Sequence, residues 1–483
     1  MQTLTKILLT VHKSALAVIT LLILVKSIFH LSSGYDFLWY HLPRGLLVFN
    51  LTDFEPSPYT KTIIDSFPPL ADWTIGFLVY STGWMNTANT VNLLGAGIAL
   101  FSIWRLHRDN KNINWVVFLT MIYGIPHFVL HLSTGYVDLF GAAGVLMAFS
   151  ALVKIKYAGH LDPESLFWFL LGIGIACLSR FQALPVCAVL ILVFTLVLFR
   201  EKLASPRKII GLFLVATLIA GIWPIRNTVK YGNPTYPYRP PFISKFIQFE
   251  VKRSTEREPS IQSPERLSHL PNFFLFLISA FEINRFLTNE GEDWKPGQTQ
   301  YKWHHAQWAD KGERNIHFRM GGWSIFTISI LFWLFALLLF KYRRIDEISI
   351  GIIIIFILIG LLPHSNELRY FMAFPLMLSF YLVFSWGILS SRTRQIGSVL
   401  LFLSMCYTVV ESKIYHIDFN DIEDLASQEI RDVWQKYEIS GEGKVICVPN
   451  SVHNGILYTG PDLNSYPVVS RDYCHSVIVE SSS

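Results

Sequence analysis

Apolar positions in this chain fall in blocks. Runs of about 17–25 residues recur along most of the sequence, the length at which a helix crosses a bilayer core. The pattern predicts eleven crossings. The first runs from about Ile7 to His30, the second from Thr87 to Trp104 and the third from Ile113 to His131. The fourth follows Tyr136-Val137-Asp138 and ends near Val153, and two short ones, Ser165–Leu178 and Gln182–Phe199, form a hairpin. The remaining five span about Ile209–Pro224, Trp323–Phe340, Ile348–Leu362, Tyr370–Leu389 and Ile396–Val410.

Charge decides one ambiguous block. Leu70 to Trp84 is apolar but short, and begins at Phe67-Pro68-Pro69. If it crossed, Arg105-Leu106-His107-Arg108 and every later basic loop would be reversed, against the tendency of Lys and Arg to mark the cytoplasmic face. It therefore reads as an interfacial or half-inserted helix in the first outer loop. Lys154, Lys156, Arg200, Lys202, Arg207, Lys208, Lys341, Arg343, Arg344, Arg392 and Arg394 then all lie inside. Ile225 to about Gly322 becomes a long outer loop, and Glu411 to Ser483 an outer tail.

The tail changes character. Asp418 to Tyr437 would make an amphipathic helix with Ile422, Leu425, Ile430 and Trp434 near one face, and Lys444–Pro449 and His475–Val479 read as short strands. The expectation is an all-α polytopic membrane domain over residues 1–412 and a small outer α/β domain over 413–483. Cys447 and Cys474 both fall in this tail; an oxidising compartment would allow a disulfide between them, although spacing alone does not set its geometry. Cys177, Cys187 and Cys406 read as buried small apolar residues.

Composition agrees. Of 483 residues 52% are hydrophobic, 15% aromatic and only 16% charged, against roughly 25% charged in soluble domains; the mean hydropathy is +0.39. The net charge of +5 is no nucleic-acid signal, because the basic residues sit in short clusters between apolar runs. The first apolar run, about Ala15 to Phe29, has no small-residue cleavage site and reads as a retained anchor.

Candidate chemistry begins where the first span ends, at Gly34-Tyr35-Asp36-Phe37-Leu38-Trp39-Tyr40-His41-Leu42-Pro43-Arg44. A carboxylate, an imidazole and a guanidinium arrive together at the membrane edge, the groups that chemistry on a lipid-linked phosphate would use. The same topology places Asp65, Asp72, Asp138, Arg180, Arg226, His364, Glu367, Arg369 and the loop around Trp303-His304-His305 on the outer side. Charges at membrane depth normally face the bundle and pair. One polar end with no charge at mid-span suggests an enzyme at an interface. A transporter or flippase would be expected to show paired halves and ionisable groups near the midplane.

Several stretches resemble the integral-membrane glycosyltransferases of the GT-C superfamily, which include the bacterial mannosyl- and aminoarabinose-transferase-like proteins. Tyr35–Arg44 looks like their first-loop motif, and Phe67-Pro68-Pro69-Leu70-Ala71-Asp72-Trp73 is similar to their Pro-Pro-Leu segment. Tyr136-Val137-Asp138 resembles a second outer acidic site. Trp223-Pro224-Ile225-Arg226-Asn227 with Tyr231-Gly232-Asn233-Pro234, and Glu367-Leu368-Arg369-Tyr370, resemble two later elements. The matches run in order over about residues 1–412.

The resemblance implies an inverting hexosyl- or pentosyltransferase in a bacterial inner membrane, its site facing the periplasm. It would move a sugar from a polyprenyl-phosphate donor to a glycan, lipid or protein acceptor. By the same resemblance Asp36 is the base, or holds the acceptor, and Asp138 is a second acidic site. Arg226, Arg369 and Arg180 contact the donor phosphate, with His41, Arg44 and Tyr370 beside the substrate. Many relatives carry a paired acidic motif in the first loop, and some use it for a divalent metal. Here Phe37 and Leu38 follow Asp36, so the second carboxylate is missing and metal-free catalysis, without a cofactor, is favoured.

Plainer roles compete. Arg226 and Arg369 would serve equally as headgroup anchors, Asp138 as the N-terminal cap of the fourth span, and Gly232-Asn233-Pro234 as a turn. Trp303–Trp308 reads as an interfacial aromatic loop. A lipid-linked polysaccharide polymerase or ligase is the nearest rival function.

Topology is testable directly. Single cysteines replacing Asn50, Ser263 and Ser451 are expected to react with an impermeant label from outside, and one at Ser205 only after permeabilisation. Labelling of the Ser451 position only after permeabilisation would shift the span count by one, and the interfacial reading of Leu70–Trp84 would be withdrawn first.

Overall fold

Helix occupies every apolar block. The computed structural model describes residues 2–31, 36–52, 58–109, 114–236, 270–281, 323–362, 365, 368–412, 446–448 and 468–470. The long first helix α1 (Gln2–Phe29) leads into a loop layer of three shorter helices, α2 (Leu42–Val48), α3 (Pro58–Ser66) and α4 (Leu70–Thr82). Then come α5 (Val91–Asp109), α6 (Trp115–Tyr123), α7 (Pro126–His131), α8 (Asp138–Ala158), α9 (Pro163–Ser179), α10 (Ala183–Arg200) and α11 (Pro206–Tyr231). After α12 (Asn272–Ala280) follow α13 (Ile325–Ala336), α14 (Glu347–Leu361), α15 (Ala373–Phe384) and α16 (Ser391–Glu411).

By length and composition α1, α5, α8, α10, α11 and α16 are each long and apolar enough to cross a membrane, and α9, α13, α14 and α15 are shorter apolar helices. Their outward faces carry the apolar side chains that lipid would solvate, such as Leu214, Leu218 and Ile222 on α11. The predicted third span is broken into α6 and α7 where Gly124-Ile125 precedes Pro126. The Gly124 carbonyl at this break accepts from the Thr408 hydroxyl at 2.9 Å and from that of Thr327. Neighbouring Thr side chains thus satisfy the freed backbone group, which a membrane interior requires.

α8 is the axis. It is buried almost from end to end, and close contact with α9 explains why. A Cβ on Gly144 would meet Ala176 N at 2.7 Å, and one on Gly172 would meet Ala148 N at 2.5 Å. Small residues let two backbones approach within the bundle and gain dispersion contacts that lipid cannot better. Asn92 of α5 joins the same axis, with its amide donating to the carbonyls of His131 (2.7 Å), Thr134 (3.0 Å) and Tyr136.

Charges sort to the two ends of the helices. At one end Arg105 donates to Glu164 at 3.0 Å, Lys156 lies 3.0 Å from Glu347, and Arg200 bonds Glu347 at 2.5 Å. These tie α5, α8, α9, α10 and α14 together where the sequence places its basic loops. The opposite end holds Asp36, Asp138, Arg180 and Arg369.

The first loop is more structured than one interfacial helix. On α4 the side chains of Trp73, Phe77 and Tyr80 form an exposed aromatic stripe, while Asp72, Ile75, Gly76 and Val79 face inward. That is the distribution an interfacial helix needs. α12 is a second departure, since Ile225–Gly322 was expected to be one loop. Its nine residues reach only about 13 Å at 1.5 Å per residue, too short to cross. Phe276 packs against Phe356 of α14 with centroids 5.1 Å apart. In the tail a parallel pair, β1 (Ile446–Val448) and β2 (Val468–Ser470), aligns Cys447 with Val469. The expected helix over 418–437, the strand over 475–479 and Cys474 lie outside the described residues, as do His364, Glu367 and Trp303–Trp308.

The loop layer hangs on one close crossing. A Cβ on Gly76 of α4 would run into the Gly45 backbone of α2 and approach Phe49 Cδ2 to 2.6 Å. Gly76→Ala is expected to lower stability by about 1–3 kcal/mol through overpacking, read as a fall in thermal midpoint in detergent. Gly97→Ala, where a Cβ meets nothing within 4 Å, should leave it unchanged. Equal midpoints for both variants would remove the crossing as a determinant.

Candidate active site

A π-helical turn, Phe37–His41, starts the site, closed by the Leu42 N–H donating to the Phe37 carbonyl five residues back. Such turns are rare and recur at functional positions. This one buries Phe37 and Leu38 in a local core with Leu42, Leu46, Ala71, Ile75 and Val137. Gly135 is pressed onto the Phe37 ring, leaving no room for a Cβ. Asp36, at the head of the turn, is thereby held against the loop that leads into α8.

Two carboxylate–guanidinium pairs meet there. Arg369 NH2 donates to Asp36 Oδ2 at 2.8 Å, with both side chains only about 15% exposed (14% and 15%). Arg180 NH2 lies 2.7 Å from Asp138 Oδ1, and the Asp138 side chain is 1% exposed. Tyr370 stands between them. Its ring lies under Arg369 at 4.7 Å and under Arg180 at 5.0 Å, and its hydroxyl accepts from Arg369 at 2.9 Å. Tyr136 covers the other side of Arg369, 5.0 Å from ring centroid to guanidinium. Burial, with the Asp36 carboxylate adding to it, pushes the Tyr136 phenol up to about 12, so it stays a neutral hydrogen-bonding group at physiological pH.

Asp138 is the first residue of α8 and makes no capping bond; the cap position is Val137. Its carboxylate turns instead to Arg180 and, at 3.5 Å, to His131 Nε2. His131 Nδ1 donates to the His127 carbonyl at 2.8 Å, fixing the ring. Arg369 does not reach out to solvent as a headgroup anchor would. It is turned inward on Asp36.

His41 and Arg44 form an adjoining group. His41 Nδ1 bonds Asp72 Oδ1 at 2.6 Å, and Arg44 NH1 donates to Asp72 Oδ2 at 3.1 Å and to the Pro68 carbonyl at 3.3 Å. All three side chains are buried. His41 is thus oriented by Asp72 of α4. Tyr40, Phe67 and Phe181 link this group to the first, ring to ring at 5.5 and 6.0 Å.

Arg226 sits in a third group. It donates to Asp65 Oδ1 and to the Asp65 main-chain oxygen, both at 2.6 Å, and stacks on Trp223 at 4.5 Å. Lys230 and Tyr231 also reach the Asp65 carboxylate. Burial alone would raise Asp65, yet bonds from Lys230 and Arg226 hold it below the usual carboxylate range. Trp223 also lies 5.8 Å from the Arg44 guanidinium, so the second and third groups share one indole.

Of the residues named from the sequence, Asp36, Asp138, Arg180, Arg369 and Tyr370 come together in one cluster. His41 and Arg44 lie beside it, and Arg226 lies beyond Trp223. Sequence reasoning missed Asn92 and His131 as organisers, and passed over the pairing roles of Asp65 and Asp72. A lone Asn or His at the end of an apolar run carries no local signal. Asp72 had one: it lies two residues into the block after Pro68-Pro69, where a carboxylate on an interfacial helix calls for a partner.

No family model matches the sequence, and no curated protein matches it significantly. Solved structures do match. ArnT from Cupriavidus metallidurans bound to undecaprenyl phosphate is similar over 96% of this chain and 85% of its own, with a TM-score of 0.50 at 14% identity. Its apo state gives 0.49 over 97% and 86% at 14% identity. The apo Archaeoglobus fulgidus oligosaccharyltransferase gives 0.44 over 96% of this chain and 65% of its own, at 13% identity. At such identities the likeness to ArnT is one of fold alone: this chain has the transmembrane fold seen in ArnT.

Proposed function

We propose that the protein transfers a glycosyl group from a polyprenyl-phosphate donor to an acceptor hydroxyl at the outer face of a membrane crossed eleven times, with inversion at the anomeric carbon. The observation that carries this reading is the pair of ion pairs around Tyr370, Asp36–Arg369 and Asp138–Arg180. In addition, ArnT, of the same fold, was solved with undecaprenyl phosphate bound.

The chemistry needs what this cluster offers. As the acceptor oxygen bonds to the anomeric carbon, the bond from that carbon to the phosphate oxygen breaks. The acceptor proton passes to Asp36, and the leaving polyprenyl phosphate keeps the electron pair. A carboxylate within reach of the hydroxyl answers the first demand. Fixed guanidiniums answer the second, because their forked donors match phosphate oxygens and need no reorganisation as charge develops. Arg369 and Arg180, held apart by the Tyr370 ring, supply that positive field, and Arg226 is the further cation for the donor phosphate. Asp138 keeps Arg180 in place and lines the acceptor side.

A divalent ion fits this donor set poorly. Each carboxylate of the cluster already faces a guanidinium within 2.8 Å, and a metal would have to displace those cations while remaining close to them. Metal-free transfer is the reading proposed.

Asp36→Asn keeps shape and a hydrogen-bond acceptor but takes no proton. It is expected to leave folding and donor binding intact and to lower turnover of a synthetic polyprenyl-phosphate sugar in nanodiscs by about 10²-fold or more. Asp138→Asn should cost less, and chelators should change neither rate. Near-normal turnover in Asp36→Asn with loss in Asp138→Asn would move the base to the second loop.

A further inference from the structure

Asp65 gathers more positive charge than one carboxylate balances. Arg226 engages Oδ1, while the Lys230 ammonium and the Tyr231 hydroxyl converge on Oδ2. Two cations and a phenol therefore bracket two oxygens of one anion. The group is also accessible. The side chains of Asp65, Arg226 and Lys230 are 34%, 29% and 50% exposed, whereas Asp72 is 2% exposed in its pair with Arg44.

Asp65 is not what fastens its helix. The Ser66 carbonyl accepts from Trp223 Nε1 at 2.7 Å and from Asn227 Nδ2 at 2.8 Å, so α3 stays tied to α11 whatever the Asp65 side chain does. Among the described residues Lys61 lies one turn before Asp65 on α3, and Arg44 lies across Trp223, committed to Asp72. On α11 the outward face carries Leu218, Ile222, Ile225 and Val229, all exposed. An apolar track thus ends at a pair of cations whose counter-ion is held by polar contacts alone.

We propose that Asp65 is an internal anion which the phosphate of a lipid-linked donor displaces, and that Arg226, Lys230 and Tyr231 are the ligands it surrenders. The proposal rests on the polyprenyl-phosphate reading above and adds two ligands and a competitor to it. The carboxylate occupies the positions of two phosphate oxygens. When a lipid phosphate arrives with its chain along α11, it takes the three donors, and the freed Asp65 turns to solvent. An empty cation pair would otherwise attract any anionic headgroup, so the exchange makes docking conditional on a ligand that outbinds a carboxylate.

Affinity for a polyprenyl phosphate in nanodiscs tests this, with inorganic phosphate as a second ligand. Asp65→Asn is expected to tighten polyprenyl phosphate by about tenfold. Lys230→Gln should remove most of that gain in the Asp65→Asn background and change wild-type affinity less, because direct competition makes the two changes non-additive. Asp65→Glu, which keeps the charge, should stay within about threefold of wild type; Asp65→Ser replaces the Asn variant if that one fails to insert. Unchanged or weaker binding in the neutral variant, with its thermal midpoint preserved, would overturn the proposal. So would strictly additive effects, or an equal gain for inorganic phosphate. Wild-type protein that binds no polyprenyl phosphate would instead overturn the donor reading on which the proposal stands.

Discussion

Charge taken out of water must be paired, and at one end of this bundle the pairing ties the chain together across its length. Asp36 and Arg369 are 333 residues apart, and Asp138 and Arg180 belong to α8 and the turn after α9. Removing one partner of a buried pair leaves the other uncompensated, at a cost of about 3–5 kcal/mol. For Asp138, 1% exposed, that full penalty applies; for Asp36, at 15%, solvent screening reduces it. The packing is arranged to keep these pairs at one depth. Gly144 and Gly172 bring α9 against α8, so that Arg180 reaches Asp138. Gly135 lets the loop before α8 close onto Phe37, so that Asp36 faces Arg369.

The three charged groups differ in how they can respond to a substrate. The Tyr370 cluster and the Asp72 group are enclosed, and their geometry is set by neighbours that have little room to move. The Asp65 group is a third exposed, and its carboxylate is held by side chains rather than by packing. On the proposed reading the exposed Asp65 group is the one that exchanges with a lipid headgroup, and the enclosed Tyr370 cluster is the one that acts on it. Rigid, desolvated cations are where transition-state charge is stabilised best, and exchangeable ones are where a ligand is admitted.

Much of this was legible in the sequence, for a physical reason. A bilayer demands long apolar blocks, and basic residues prefer one side of it, so the apolar helices and the two charged ends of the bundle follow from local pattern. The third span reads as continuous from Ile113 to His131, although Pro126 stands where the structure breaks it into α6 and α7. What a block pattern cannot carry is partnership. Asp36 with Arg369 and Asp138 with Arg180 were named as residues of one depth, yet His41 turns to Asp72, and Arg226 to Asp65. Asn92 looks like any tolerated polar residue in a span, although its amide fastens the loop before α8. α12 was invisible because a short apolar run inside a long polar loop meets neither the length of a span nor the period of a surface helix.

Where the donor's phosphate lies decides between the proposed mechanism and its alternatives. A cryo-EM structure of the protein in nanodiscs with a bound polyprenyl-phosphate sugar would locate the phosphorus atom directly. The prediction is a phosphate within hydrogen-bond reach of Arg369, Arg180 or Arg226, at the end of the bundle that holds Asp36. A phosphate bound at the opposite end, beside Arg105, Lys156 or Arg200, would contradict it.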